Sequence, residues 1–155
     1  MDLTRNLRID SVSRLFPTPL HQIPPERTVA DAVHILRRNN VGCVVVCEHG
    51  ALIGILTERD LLRRVFAAGK PVTTPIREVM TPRPVTIASK DSIRAAIEMM
   101  EVGGYRHLPV LDEKQRLLGV LSIKKIVHYL VEHFPGTVYC QPPDPRNVPV
   151  RREGA

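Results

Sequence analysis

The chain has 155 residues, 43% of them hydrophobic, enough to bury a core without disulfide support. Its net charge of +6 admits an anionic partner, but three Phe, three Tyr and no Trp supply little of the stacking platform that binding single-stranded nucleic acid needs. No apolar run approaches the roughly 18 residues of a membrane span, and MDLTRNLRID carries charges where a secretory leader needs an apolar stretch, so a cytoplasmic setting is expected.

Residues 1–16 end in DSVSRLF, a short amphipathic piece whose counterpart further on is IREVMT. PTPLHQIPPERT is too rich in proline for a helix and reads as an extended segment with Leu20 and Ile23 inward. A helix is expected over 28–39: Thr28 and Asp31 form a capping box, and Val29, Ala32, Val33 and Leu36 share one face. Arg37 and Arg38 lie at its C-terminal end, where the helix dipole favours cations. VGCVVV at 41–46 is a continuous apolar run, fit for a strand buried on both faces. EHGA turns the chain into a partner strand, LIGIL. A second helix is expected from Thr57 to Ala68, stopped by Gly69. Its first turn, T-E-R-D, places Thr57 and Asp60 as a capping pair.

KPVTTP at 70–75 reads as a linker, and then the pattern restarts. PRPVTI is extended. Asp91 or Ser92 caps a helix with Ile93, Ala96, Ile97 and Met100 inside, ended by Gly103 and Gly104. YRHLPVL is a strand, DEKQR a turn, LLGVL a strand and SIKKIVHYLVEHF a helix. Val29 matches Ile93, Val44 matches Leu108 and Val46 matches Val110; after the hairpin turn, Gly54 matches Gly119. One residue inserted in that turn explains the change of offset. Two copies, each small alone, suggest a pseudo-two-fold pair sharing one interface. The Pro-rich tail, 135–155, is expected to be largely irregular or to lie extended on a neighbour.

The cysteines do not form a disulfide framework. Cys43 and Cys47 share one strand at about 13 Å, too far to bridge, and neither they nor Cys140 show zinc-ligand spacing. His21, His34, His49, His128 and His133 share no metal spacing either. Ser-His-Asp groupings and P-loops are absent, so no enzyme is expected.

VGCVVVCEHGALIGILTERDLL in the first copy, with VMTPRPVTIASKDSIRAAIEMM and YRHLPVLDEKQRLLGVLSIKKIV in the second, resembles a tandem pair of cystathionine-β-synthase (CBS) domains, a Bateman module. The resemblance implies an α/β (α+β) fold of two pseudo-symmetric β-α-β-β-α repeats packed sheet to sheet. It places the first domain over 11–69, the linker over 70–75 and the second domain over 76–134. It also implies a non-catalytic regulatory module that binds an adenosine-containing nucleotide (AMP, ADP or ATP, with S-adenosylmethionine or NAD also possible) and signals to a partner protein. No cofactor is required.

Carried over by position, Asp60 would hold the ribose hydroxyls, with Thr57 beside it. A carboxylate accepts two bonds from a cis-diol, and charge-assisted bonds are the stronger ones. Arg106 and His107, just before Leu-Pro, would hold the phosphate, with Lys124 assisting. Val85, Thr86 and Ile87 would border the adenine through backbone groups, with Ile55 opposite. The related cleft departs from the pattern: Lys125 stands where the acid would be, and Gly42 and Cys43 stand where the cations would be. One nucleotide per chain is therefore expected. Plainer roles stand beside these: Asp60 as a helix cap, Arg106 as a partner of Glu101, His107 as half-buried packing. A flat homodimer is expected through Leu62, Val65, Ile126 and Leu130. The competing functions are a scaffold with vestigial clefts and, disfavoured by the lack of any motif, nucleic-acid binding through the basic charge.

Overall fold

The structure, a computed structural model, describes residues 2–139. Helix α1 (Leu3–Ile9), which the sequence reading did not anticipate, is capped by the Asp2 side chain. A 3-10 turn over Val12–Leu15 follows. The first repeat then runs β1 (Gln22–Ile23), α2 (Val29–Asn39), β2 (Cys43–Glu48), β3 (Ala51–Thr57) and α3 (Glu58–Asp60). Beyond a second 3-10 turn, Ile76–Glu78, come β4 (Thr81–Pro82), β5 (Ile87–Ala88), α4 (Ile93–Gly103), β6 (His107–Leu111), β7 (Leu117–Ser122) and α5 (Ile123–His133). A short α6 (Pro135–Tyr139) opens the tail that was expected to be irregular. The rest of that tail, Cys140 included, lies outside the described residues.

The strands form two sheets, β1-β2-β3-β4 and β5-β6-β7. Each repeat gives a parallel pair and an antiparallel hairpin. Both hairpins slip at the same place: Val46 faces Gly54 but Cys47 faces Leu52, and Val110 faces Gly119 but Leu111 faces Leu117. The first turn is closed by His49 and Gly50, both at positive φ, the type I′ geometry that suits a two-residue hairpin. The second is longer and is held by Asp112, whose Oδ1 accepts from the amides of Lys114 and Arg116 at 2.8 Å each. The inserted residue falls here.

Helix α2, through Val29, Ala32 and Leu36, and the turn that continues α3, through Val65, cover one sheet. Helices α4 and α5 cover the other through Ile93, Ala96, Met100 and Ile126. Between the sheets lie Cys43, Val45, Ile55 and Val120, flanked by Leu20, Cys47, Leu52 and Leu117. The segments leading into each repeat are exchanged. Val12 and Leu15 are buried in the second repeat's core, whereas Ile76 and Val79 are buried in the first repeat's core. Each such side chain contributes about 1.5–3 kcal/mol by leaving water, so neither repeat closes its core from its own residues.

Two expectations need correction. The helix after Thr57 is not regular: past Asp60 it widens into a π turn over Leu61–Phe66, with Ala67 bonded to Leu62 and Lys70 to Val65. That wider turn accompanies Arg64, which reaches back to both Asp60 and the Met80 carbonyl. The expected dimer face also changes. Val65 and Ile126 are each 2% exposed, consumed by the chain's own cores. The apolar side chains these helices leave outward are Leu62, Phe66, Ile123 and Val127.

Candidate functional site

Thr57 ends β3 and caps α3. Its hydroxyl accepts from the Asp60 amide at 3.2 Å and donates to Asp60 Oδ2 at 2.8 Å, while its own amide donates to the same oxygen at 2.9 Å. The other oxygen, Oδ1, accepts from the Thr81 hydroxyl at 3.0 Å and faces Arg64 Nε at 3.5 Å. Asp60 is buried, and both its oxygens are engaged within the chain. A carboxylate oxygen has two good acceptor positions, so a ribose diol must displace Thr81 or Arg64 to bind here.

The start of β6 lies against the start of β2. A Cβ on Gly42 would stand 3.0 Å from His107 Nε2 and 3.6 Å from Glu58 Oε2, so the imidazole rests on that glycine beside the carboxylate. The repeat relation is visible in the main chain: the Glu58 amide donates to the Gly42 carbonyl at 3.1 Å, and the Ile123 amide to the Arg106 carbonyl at 2.9 Å. Arg59 crosses between repeats, donating from Nη1 to the Gly104 carbonyl at 3.0 Å.

Burial pushes the His107 pKa down, against the pull of Glu58 and with help from Lys124, Arg106 and Arg59. The imidazole is therefore neutral at pH 7. The positive charge of this cluster belongs to Arg59, Arg106 and Lys124. Burial, with Glu58 beside it, pushes the Cys43 thiol up to about 12, which makes it an inert apolar residue. Among the ion pairs of the described residues, Arg106 and Glu101 do not meet.

The residues assigned to the base slot divide. Ile55 packs between the sheets and pairs with Val45 and Thr81. Ile87 points into the second repeat's core and pairs with Val110. Because β5 is an edge strand, Ile87 can offer a ligand its main chain but not its side chain. Val85 is exposed and Thr86 half-buried, in the connection that carries the chain from one sheet to the other. The structure thus joins Thr57, Asp60 and Ile55 through Thr81, and sets Glu58, Arg59, Arg106 and Lys124 within electrostatic reach of His107.

Sequence reasoning missed Thr81, Arg59, Arg64 and the spacer role of Gly42. Arg64 alone had a local signal, its four-residue spacing from Asp60. In the twin cleft, Ser122 caps α5 without a side-chain bond, and Lys125 has no acceptor with which to take Asp60's part. Two open hollows lie elsewhere, on α2. One of about 500 Å³ is lined by Ala30, Val33, His34, Arg37 and Arg38. Another of about 300 Å³ lies between Gln22 and Ile35.

Residues 12–67 and 76–132 each match the CBS domain. The CBS domain-containing protein YhcV of Bacillus subtilis (strain 168) is 31% identical over 115 residues, 74% of this chain and 81% of that protein. The crystal structure of CBS domain NE2398 superposes with a TM-score of 0.73 at 30% identity, covering 79% of this chain and 98% of that one. The CBS domain protein PAE2072 from Pyrobaculum aerophilum, complexed with AMP, superposes at 0.70 with 26% identity, covering 79% of this chain and 99% of that one.

Proposed function

The chain belongs to the CBS domain family as a tandem pair, and on that premise we propose that it is a non-catalytic regulatory module of the cytoplasm, acting as a homodimer. It binds one adenosine-containing nucleotide, of the AMP, ADP or ATP type, and passes that state to a partner protein. The observation that carries this reading is the asymmetry of the two clefts. One repeat has a buried acid at Asp60, and the cations Arg59, Arg106 and Lys124 act on the neighbouring cluster's His107; the other has Lys125 in the acid's place. AMP in the Pyrobaculum aerophilum relative supports the ligand class.

In this reading the ribose hydroxyls take over Asp60 from Thr81 and Arg64. Arg106 and Lys124 face the phosphate, with His107 as a neutral hydrogen-bonding partner. The main chain at Val85, Thr86 and Ile87 borders the base, and Thr57 holds the carboxylate in place. Ile55 shapes the slot from the layer behind. A ligand biases a state only by its differential affinity for it, and the exchange of partners at Asp60 supplies a difference.

The test is a thermal-shift panel of AMP, ADP, ATP, S-adenosylmethionine and NAD on wild type and Asp60→Ala. Binding at a hundred times the dissociation constant stabilises by about 2.7 kcal/mol. A shift in wild type that Asp60→Ala abolishes is the expected result. A shift that survives the substitution moves the site elsewhere, and silence across the panel favours the scaffold reading.

A further inference from the structure

The chain crosses between the repeats at two related places, and different kinds of bond hold them. Ahead of the first repeat, Thr18 and Val120 exchange two main-chain bonds of 3.0 Å, and a Cβ on Gly119 would stand 2.8 Å from the Thr18 carbonyl oxygen. Ahead of the second repeat, β4 is two residues long, pairs with Gly54 and Ile55, and includes Pro82, which has no amide to give. The side-chain ties at this second crossing converge on one carboxylate. The Thr81 hydroxyl donates to Asp60 Oδ1 at 3.0 Å, and Arg64 Nε faces the same oxygen at 3.5 Å while Arg64 Nη1 donates to the Met80 carbonyl. The helix that carries Arg64 is distorted and its twin is not. A π turn spans Leu61–Phe66, whereas α5 is a regular helix over Ile123–His133, with Lys125 in Asp60's place and Tyr129 in Arg64's. Such wide turns are frequent at functional sites.

We propose that residues 80–83 are a tether that an occupant of Asp60 releases. A ligand hydroxyl that takes Oδ1 displaces Thr81 and Arg64 together, because both lean on that one oxygen. Arg64, no longer oriented by the acid, gives up the Met80 carbonyl as well. The two-residue ladder of β4 must then hold alone, and so short a strand pair is marginal. The Thr18 crossing has no such dependence: main-chain bonds carry it, and Lys125 cannot accept what Asp60 accepts. One join between the repeats is therefore fixed and the other conditional. The conditional one leads through Val85 and Thr86 into β5, so its release alters the path that links one sheet to the other. This release presupposes the nucleotide reading above and states what that occupancy does to the chain.

Amide-resolved hydrogen exchange by NMR tests it, on wild type with and without saturating AMP and on ligand-free Thr81→Val and Thr81→Val/Arg64→Met. Binding to the native state slows any exchange that needs global opening, so release shows as the opposite sign in one place. The Thr81 amide and the Arg83 amide, which is bonded to the Ile53 carbonyl at 2.9 Å, should exchange at least about tenfold faster with AMP, the factor that one lost bond to a charged group carries. The Thr18 and Val120 amides should hold or slow. The double variant should reproduce the faster exchange at Thr81 and Arg83 without ligand. Thr81→Val alone, with one tie lost, should lie between it and wild type, and it serves if the double variant does not fold. Thr81 and Arg83 amides that slow with AMP overturn the tether and leave nucleotide binding standing. Wild-type exchange rates in the ligand-free variants overturn it too, since the ladder alone would then hold β4. Calorimetry that detects no AMP binding removes the AMP reading and the release with it.

Discussion

The main-chain carbonyl oxygen of Thr18 lies 2.8 Å from where a Cβ on Gly119 would stand. Here the segment leading into the first repeat crosses β7 of the second, exchanging two bonds of 3.0 Å with Val120. At the matching position, Gly54, the nearest atoms belong to the flexible Met80 thioether. Alanine at the two glycines should therefore behave differently. Backbone at Gly119 cannot move without breaking the crossing, and overpacking of this kind costs about 1–3 kcal/mol. Met80 can turn aside, for about 1 kcal/mol or less. Urea unfolding of Gly119→Ala and Gly54→Ala measures both. Equal losses would show that the Thr18 crossing yields as readily as a side chain.

These glycines mark what the sequence could and could not tell. Gly54 and Gly119 were legible as equivalent, because a repeat needs only pattern. Their reason was not, because Thr18 and Pro17 approach Gly119 from a hundred residues away. The caps at Thr28 and Thr57 were legible for the opposite cause: the bonds join residues three apart. Asp60 was recognised by the same local spacing, but Thr81, its partner 21 residues on, left no local trace. The exchange of Val12 and Ile76 between cores was invisible for a related reason. Both segments look alike, so pattern alone cannot say which core receives which.

The Tyr129 phenol donates to the Asp10 carboxylate, which also pairs with Arg14 and ties the N-terminal segment to α5. The Tyr129 bond, opposed by burial and helped by Arg14, lowers the Asp10 pKa below 3.8. A depressed carboxylate stabilises the fold above its unfolded pKa and loses that contribution as pH falls through the folded one. Burial first, then Asp10, raises the Tyr129 pKa to about 12, so its contribution is complete below the ordinary value of 10.0 and disappears as pH rises toward about 12. Tyr129→Phe should cost about 1–3 kcal/mol at neutral pH, since it leaves Asp10 short of a donor, and should flatten the alkaline limb. Denaturant titration from pH 7 to pH 11 reads both. An alkaline limb as steep in the variant as in wild type would assign it to other groups.

His107 governs a different window. Burial lowers its pKa below 6.5, so the unfolded chain binds a proton more readily than the folded one. That stabilisation is complete above 6.5 and is lost as pH falls below it. The Asp10 loss begins only near 3.8, which separates the two. His107→Gln should therefore reduce the fall in melting temperature between pH 7 and pH 5 and leave the fall below pH 4 in place. An unchanged slope between pH 7 and pH 5 would mean the imidazole protonates in place beside Glu58.

Thr81 offers a sharper test of how Asp60 meets a ligand. Its hydroxyl bond to Asp60 Oδ1, at 3.0 Å, stabilises the present state and occupies an acceptor that a ribose hydroxyl would need. Valine keeps the shape and removes the donor. Thr81→Val should lower stability by about 1.5–3 kcal/mol, the usual worth of a hydrogen bond to a charged group. The same change relieves the ligand of a competitor. If the ribose takes over that acceptor, nucleotide affinity should rise by up to about tenfold, since 1.4 kcal/mol is a factor of ten. Loss of stability with gain of affinity is an unusual pair, and calorimetry with AMP beside urea unfolding measures it. Arg64→Met should move both quantities the same way but less, because its Nε stands at 3.5 Å from the carboxylate. Weaker nucleotide binding in Thr81→Val would instead make the hydroxyl a ligand contact, and unchanged binding would place the ribose away from Asp60.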